Sequence, residues 1–425
     1  MDVESNLALT ADERAMRSGE LGPAVAMAMR ILCRMAPLYG ATMLLPVTRS
    51  HIDGVILSGA AGLAFAERLA DLGGRVSVPT TLNVMSMDRT GWRSQGMEPG
   101  FAERARRLGS AYVRMGARPT FTCAPYQTEP PPSLGEQIVW SESNAVAFAN
   151  SVCGARTNRY GDYLDVCCAL TGRVPAAGLH LDTARRATVL VTLRGIPTSA
   201  MVRDDFYPLL GYRVGQLVDT RVAVVEGLEV TPSVDQLKAL LAAAASSGSV
   251  ALLHLAGITP EAATVKDALR GEEPDERIVV TMDDLRETFH ELNQQVDGSI
   301  DLVAFGSPHA SLTECRRLAG LMRGRQGADG VQIYVTTSRG VRDLLERSGE
   351  LADLEAFGAT VTADTCIVVA PLVRPGATRL MTNSGKYAHY GPGLLGVRTA
   401  FGTTEECVAS AEAGAVLREG SPWLP

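Results

Sequence analysis

Short, almost continuous apolar runs alternate with longer amphipathic stretches along most of this chain, and that alternation limits the fold more than any other feature. A strand that is apolar on both faces must be covered on both faces, which places it in a parallel sheet with helices packed above and below. The strand candidates are residues 42–47, 75–78 and 118–122, then 187–194, 221–225, 249–255 and 277–281, and finally 301–305, 331–336, 360–362 and 366–369. Helical patterns fall between many of them, at 63–72, 101–115, 205–218, 233–246, 282–294, 311–321, 339–348 and 404–417. Two further helices precede the alternation. One opens at the capping box of Thr10 and Glu13, and the other runs over 23–38. The expected fold class is α/β with mainly parallel sheets. It divides into an N-terminal lobe (1–185), a middle unit (186–298) and a C-terminal unit (299–425).

Charge and cysteine content narrow the function classes. The 40 basic and 47 acidic residues leave a net charge of −7, which argues against nucleic acid as the main partner, since neutralising phosphates takes a basic face. No apolar run reaches the roughly 18 residues of a membrane span, and the acidic N-terminal stretch does not read as a signal peptide. Eight cysteines in 425 residues are too few for a disulfide scaffold, and no two form a CxxC pair. The expectation is a cytoplasmic protein whose cysteines are core thiols, metal ligands or nucleophiles. Any metal site would draw on cysteines far apart in sequence.

Chemistry concentrates in a few polar strings. In the segment from Trp140 to Gly161, residues 145–152 read as a core helix, with Ser141 or Ser143 placed to cap it and Gly154 to end it. Arg156, Thr157, Asn158 and Arg159 follow as a dense set of donors, and a guanidinium fork suits a small carboxylate or phosphate. A solvated arginine-rich loop is the plainer reading of the same residues. Four more clusters come after strand candidates, where open α/β sheets bind ligands: Thr81 with Asn83, Cys123 with Tyr126, Ser307 with His309, and Ser338 with Arg339; a fifth, Asn383, Ser384 and Lys386, lies in the C-terminal unit. Each alone could be a turn or a helix cap; together they suggest a shared cleft. His51 also follows a strand candidate. Asn383–Lys386 lacks the upstream glycines of a phosphate loop, so an NTPase reading is rejected.

Taken in order, ELGPAVAMAMRIL, WSESNAVAFANSVCGARTNRYGD, GLHLD, SPHASL, TTSR, ADTC and TNSGKYAHY resemble the catalytic large part of aconitase X over nearly the whole chain. That resemblance implies an aconitase-like, multi-domain α/β/α fold around a central cleft, and an iron–sulfur hydro-lyase. It also implies a smaller swivelling domain, fused in some members and separate in others. Because this sequence stops at Pro425, that domain is expected on a separate small subunit, giving a heterodimer. Family activities are dehydration of cis-3-hydroxy-L-proline in bacteria and of mevalonate 5-phosphate in archaea. Archaeal members carry Gly-Cys-Pro-His where this chain has Gly306-Ser307-Pro308-His309, and Asn-Pro-Ala-Gly where it has Asn83-Val84-Met85-Ser86. Both departures favour the hydroxyproline branch.

The same resemblance assigns candidate roles. Cys123 and Cys366 match metal-ligand positions, and Ser307 stands where a third thiolate is expected, so the cluster is expected to hold fewer than four irons; Cys153 is an alternative ligand. Ser338, Lys386 and His51 are the catalytic candidates. A small anionic substrate would be bound by Thr81, Asn83, Ser143, Asn144, Arg156, Asn158, Arg159, Arg339, Asn383 and Ser384. In the superfamily the base is a serine of the swivelling part, which here would sit on the partner. A non-enzymatic, iron-dependent nucleic-acid binder is the alternative of a different class, disfavoured by the acidic balance.

Overall fold

The computed structural model describes residues 7–294, 298–418 and 420–424, and they form two compact units that divide between Arg186 and Ala187. The first unit is built on a parallel three-stranded sheet in the order Thr80–Leu82, Ser50–Ile52, Val139–Trp140, with His51 level with both Thr81 and Trp140. An antiparallel pair, Leu44–Pro46 with Arg173–Pro175, lies apart from it. The first helix, Ala11–Ser18, has the expected capping box, its two donors satisfied reciprocally by Thr10 and Glu13.

Local chemistry corrects several sequence expectations here. Residues 75–78 are not a strand: the Val76 and Ser77 amides donate to the carbonyls of Met115 and Ala169, and pairing begins at Thr80. Residues 118–122 contribute only an isolated bridge from Arg118 to Thr81, because Pro119 has no amide to continue a ladder. The helix Ser143–Ser151 is capped by neither candidate serine but by Glu142 between them, whose carboxylate accepts from Ala145 N at 2.9 Å.

The second unit holds two parallel sheets. One has four strands in the order Leu253–Leu255, Ala223–Glu226, Val189–Leu193, Glu276–Val280. The other has five, ordered Ala359–Ala363, Gln332–Thr337, Leu302–Ala310, Arg379–Thr382, Arg398–Phe401. All six residues of Gln332–Thr337 are buried, as a strand covered on both faces must be. The helices Phe206–Val218 and Val234–Gly248 approach so closely that a Cβ on Gly211 would lie 2.0 Å from the Leu240 carbonyl, so only glycine fits there.

Three differences from expectation bear on the site. The central strand continues past Phe305 through Ser307 to Ala310, with a register shift on the way, so the SPHA string lies in the strand rather than after it. Residues 366–369 form a turn closed by Val369 N and Ala370 N on the Cys366 carbonyl. The chain has already left the sheet at Asp364, whose φ of 67° no strand adopts. The strands Arg379–Thr382 and Arg398–Phe401 were not anticipated.

Candidate functional site

Parallel strands deliver their C-terminal residues to one edge of the sheet, and in both units the candidate residues collect there. In the first unit, Ile52 leads to Asp53, Leu82 to Asn83, and Trp140 to Ser141 and Glu142. The Thr122 amide bonds the Leu82 carbonyl, which brings Cys123 to the same edge. Asn144 fixes that loop: its Nδ2 donates to the Cys123 carbonyl at 3.0 Å and to Glu142, while the Tyr126 hydroxyl donates to its Oδ1 at 2.7 Å. Ser143 Oγ donates to Glu142 at 3.2 Å. His51 and Thr81, level on adjacent strands, hydrogen-bond each other at 2.8 Å; burial pushes the imidazole pKa down to about 3, so the ring is neutral at ordinary pH.

Asp53 and Glu142 were not singled out from sequence. The signal was an acid directly after the strand Ser50–Ile52, and it was missed because so short a strand did not register as one. Asp165, fully buried, accepts from the amides of Asp53 and Gly54 and so sets the direction of the turn after that strand. Asn83 Nδ2 donates to Asp53 Oδ1, leaving Asn83 Oδ1 and Ser141 Oγ buried without a partner. Burial, and then the nearby acids Glu142, Asp162 and Asp165, hold the Asp53 carboxyl well above the usual range; the Asn83 bond works against them.

The arginine loop divides. Arg156 is committed to the Asp182 carboxylate and the His180 carbonyl, and Asn158 ties the loop to Ala177 O at 2.9 Å and Leu179 N at 2.7 Å. Arg159 is exposed and bonds no described residue.

In the second unit a cleft opens at the strand ends, and Ser307, Asn383, Ser384 and Lys386 line it together. Gly306, at φ 92°, permits this bend, since a Cβ there would meet the Thr336 carbonyl at 2.0 Å. Ser384 Oγ donates to the Ser307 carbonyl and accepts from Tyr387 N, and Asn383 Nδ2 donates to Thr404 Oγ1 at 3.0 Å. The cleft wall also carries Lys238, 3% exposed, between Asp235 at 3.0 Å and Glu314. Burial alone would lower its pKa, but the two acids outweigh burial and raise it. Ser338 does not line this cleft; it is buried and caps the helix Arg339–Ser348, while Arg339 pairs with Asp364 at 2.5 Å.

None of the eight cysteines forms a disulfide. Burial pushes the Cys153 thiol up to about 11 and that of Cys315 to about 12, and raises Cys167, Cys168 and Cys407 as well, which marks these five as thiols rather than thiolates. Among the described residues no three or more His, Cys, Asp or Glu side chains are grouped to hold a metal ion. The donors at the strand ends are the buried Cys123 in the first unit, and Ser307 with the buried Cys366 in the second. Thiols suit iron, but neither unit by itself brings together the thiolates a four-iron cube calls for. No single described helix is long and apolar enough to cross a membrane.

Family models of the aconitase X first, second and third domains match residues 6–183, 187–290 and 300–413. The chain is 48% identical to the cis-3-hydroxy-L-proline dehydratase of Pseudomonas aeruginosa, over 98% of this chain and 72% of that protein. It is 46% identical to the enzyme of that name from Hypocrea jecorina, over 96% and 69%. Identity to the phosphomevalonate dehydratase large subunit of Methanosarcina mazei is 36%, over 97% and 99%, and the words "large subunit" imply a small partner there. The crystal structure of Thermococcus kodakaraensis aconitase X in its holo-form superposes with a TM-score of 0.84 at 33% identity, covering 95% of this chain and all of that one.

Proposed function

The chain belongs to the aconitase X family, and from that membership we propose that it is the catalytic large part of a dehydratase converting cis-3-hydroxy-L-proline to Δ1-pyrroline-2-carboxylate. The observation that carries this reading is the higher identity to relatives named for hydroxyproline than to those named for phosphomevalonate. Ser307 and the Asn83–Ser86 segment depart from the archaeal pattern in the same direction. The reaction removes the C2 proton and the C3 hydroxyl as water. The enamine left behind takes a proton at C3, gives up its N–H proton and becomes the cyclic imine.

Hydroxide leaves poorly unless an electrophile takes it. The proposed ligands of an iron–sulfur cluster of fewer than four irons are Cys123, Cys366 and Ser307. Such a group, when bound, supplies a Lewis acid for the departing oxygen. The chain's own side chains bind and orient. Lys386, with the second amide hydrogen of Asn383, faces an anion in the cleft that Ser384 helps to shape, and Arg159 offers an uncommitted guanidinium for the substrate carboxylate. Arg156, Asn158, Arg339 and Ser338 spend their hydrogen bonds on the protein, so their proposed part is to hold the loops that carry Arg159 and the cleft. Thr81 holds the neutral His51, and Ser143 and Asn144 hold Glu142 and the Cys123 loop. The proposed base is a serine of a small swivelling subunit, a partner for which the archaeal relatives' name speaks. The free thiols favour a cytoplasmic setting.

The test is to supply the protein, together with its small subunit, with cis-3-hydroxy-L-proline and follow the cyclic imine. Its formation is expected. Failure to form while mevalonate 5-phosphate is dehydrated would overturn the assignment.

A further inference from the structure

We infer that the strand-end cluster of the first unit, Asp53 with Asn83, is the subsite for a secondary ammonium group, the ring nitrogen of the imino-acid substrate. This inference rests on the functional reading above and extends it to a part of the substrate that the anion-binding residues leave unaccounted for.

The geometry specifies a donor. Asn83 is 1% exposed and its Nδ2 donates to Asp53, so its carbonyl oxygen faces the other way with nothing to accept from. With a cation bound Asp53 is ionised, and an ionised carboxylate only accepts, so the Asn83 amide then keeps its Nδ2 toward Asp53 and its oxygen toward the ligand. A buried acceptor without a donor is costly, and a ligand N–H removes that cost. Ser141 Oγ, 7% exposed at the end of the neighbouring strand, is likewise without a partner. Asp53 itself is only partly buried, so a ligand can reach it.

The charge specifies a cation. The charged groups acting most strongly on Asp53 are all acids: Glu142, Asp162 and Asp165. A positive ligand would relieve their mutual repulsion, whereas an anion would add to it. A metal ion fits poorly, since no three ligating side chains converge among the described residues. An organic cation with two N–H bonds fits well. A pyrrolidinium nitrogen can give one hydrogen to the Asp53 carboxylate and the other to Asn83 Oδ1. Mevalonate 5-phosphate has no nitrogen, so the same pair would select the hydroxyproline class.

The experiment uses the enzyme with its small subunit and two competitive probes of one shape, L-proline and (S)-tetrahydrofuran-2-carboxylate, which has oxygen in place of the ring nitrogen. Wild type is expected to bind L-proline at least about thirtyfold more tightly, and D53N to bring the two probes within about threefold by weakening L-proline alone. Asn83→Ala should lower the same ratio by a smaller factor. D53N is nearly isosteric and removes one acid from a crowded set, so its melting temperature should hold or rise; a folding defect would weaken both probes equally. Unchanged discrimination in D53N, while wild type dehydrates hydroxyproline, overturns the subsite and leaves the function standing. Absence of hydroxyproline turnover in wild type overturns both.

Discussion

The two strand-end clusters differ in how far the protein satisfies them. In the second unit the groups around the cleft are paired, although Thr365 Oγ1 beside Cys366 is buried without a partner. Ser384 is held between Ser307 and Tyr387, Asn383 bonds Thr404, and Lys238 lies between Asp235 and Glu314. At the strand ends of the first unit acids crowd one another, and the buried oxygens of Asn83 and Ser141 find no donor. A satisfied cluster shapes a cleft; an unsatisfied one waits for a ligand. Proteins tolerate such local conflicts mainly where function requires them.

The largest expected effect tests the proposed metal ligands, one in each unit. Cys123→Ser and Cys366→Ser should each cut turnover by more than about a hundredfold and bleach the iron–sulfur absorbance. Unchanged spectrum and activity in either variant would remove that residue from the ligand set.

The next effect tests the crowding in the first unit through pH. Burial, as the largest cause, raises Asp165 from its ordinary 3.8 to about 6. Between those values the folded protein binds more protons than the unfolded one, so this group's contribution to stability falls as pH rises through the window. Asp165→Asn has no such titration. Its unfolding free energy relative to wild type should therefore climb by about 2.4 kcal/mol from pH 4 to pH 7. Parallel denaturant curves would show this, and a difference independent of pH would contradict it.

In the second unit the matching experiment breaks a satisfied group. Lys238→Met strands Asp235 and Glu314 and should lower stability by ~2 kcal/mol, less than for a fully buried pair because both acids are partly exposed. Thermal unfolding measures it. The smallest effect separates the two arginines of the first unit's loop. Arg159→Ala should raise KM about tenfold with little change in melting temperature, and Arg156→Ala should do the reverse, because only Arg156 holds a carboxylate of the protein.

Much of this was legible in the sequence, for reasons that differ by element. The strand Val189–Leu193 and the helix Ser338 caps, Arg339–Ser348, carry strong local patterns, apolar continuity in one and helical periodicity in the other. The three-residue strands Ser50–Ile52 and Thr80–Leu82 carry none, since their identity comes from pairing with partners distant in the chain. With them went Asp53, invisible as a site residue until its strand was known. Ser307 illustrates the opposite failure. Proline and serine read as a loop, yet the chain passes through them in extended form because Gly306 absorbs the bend. Ser338 and Arg339 were read as site donors from their place after a strand. They are one helix cap and one ion pair, a use that sequence alone does not distinguish from binding.

The measurement that bears most directly on the proposed function is the ratio of kcat/KM for cis-3-hydroxy-L-proline over mevalonate 5-phosphate, taken on the protein with the proposed small subunit. A ratio above about a thousand is predicted, because the second substrate lacks the cation that the acidic strand ends favour. A ratio near or below one would contradict the account.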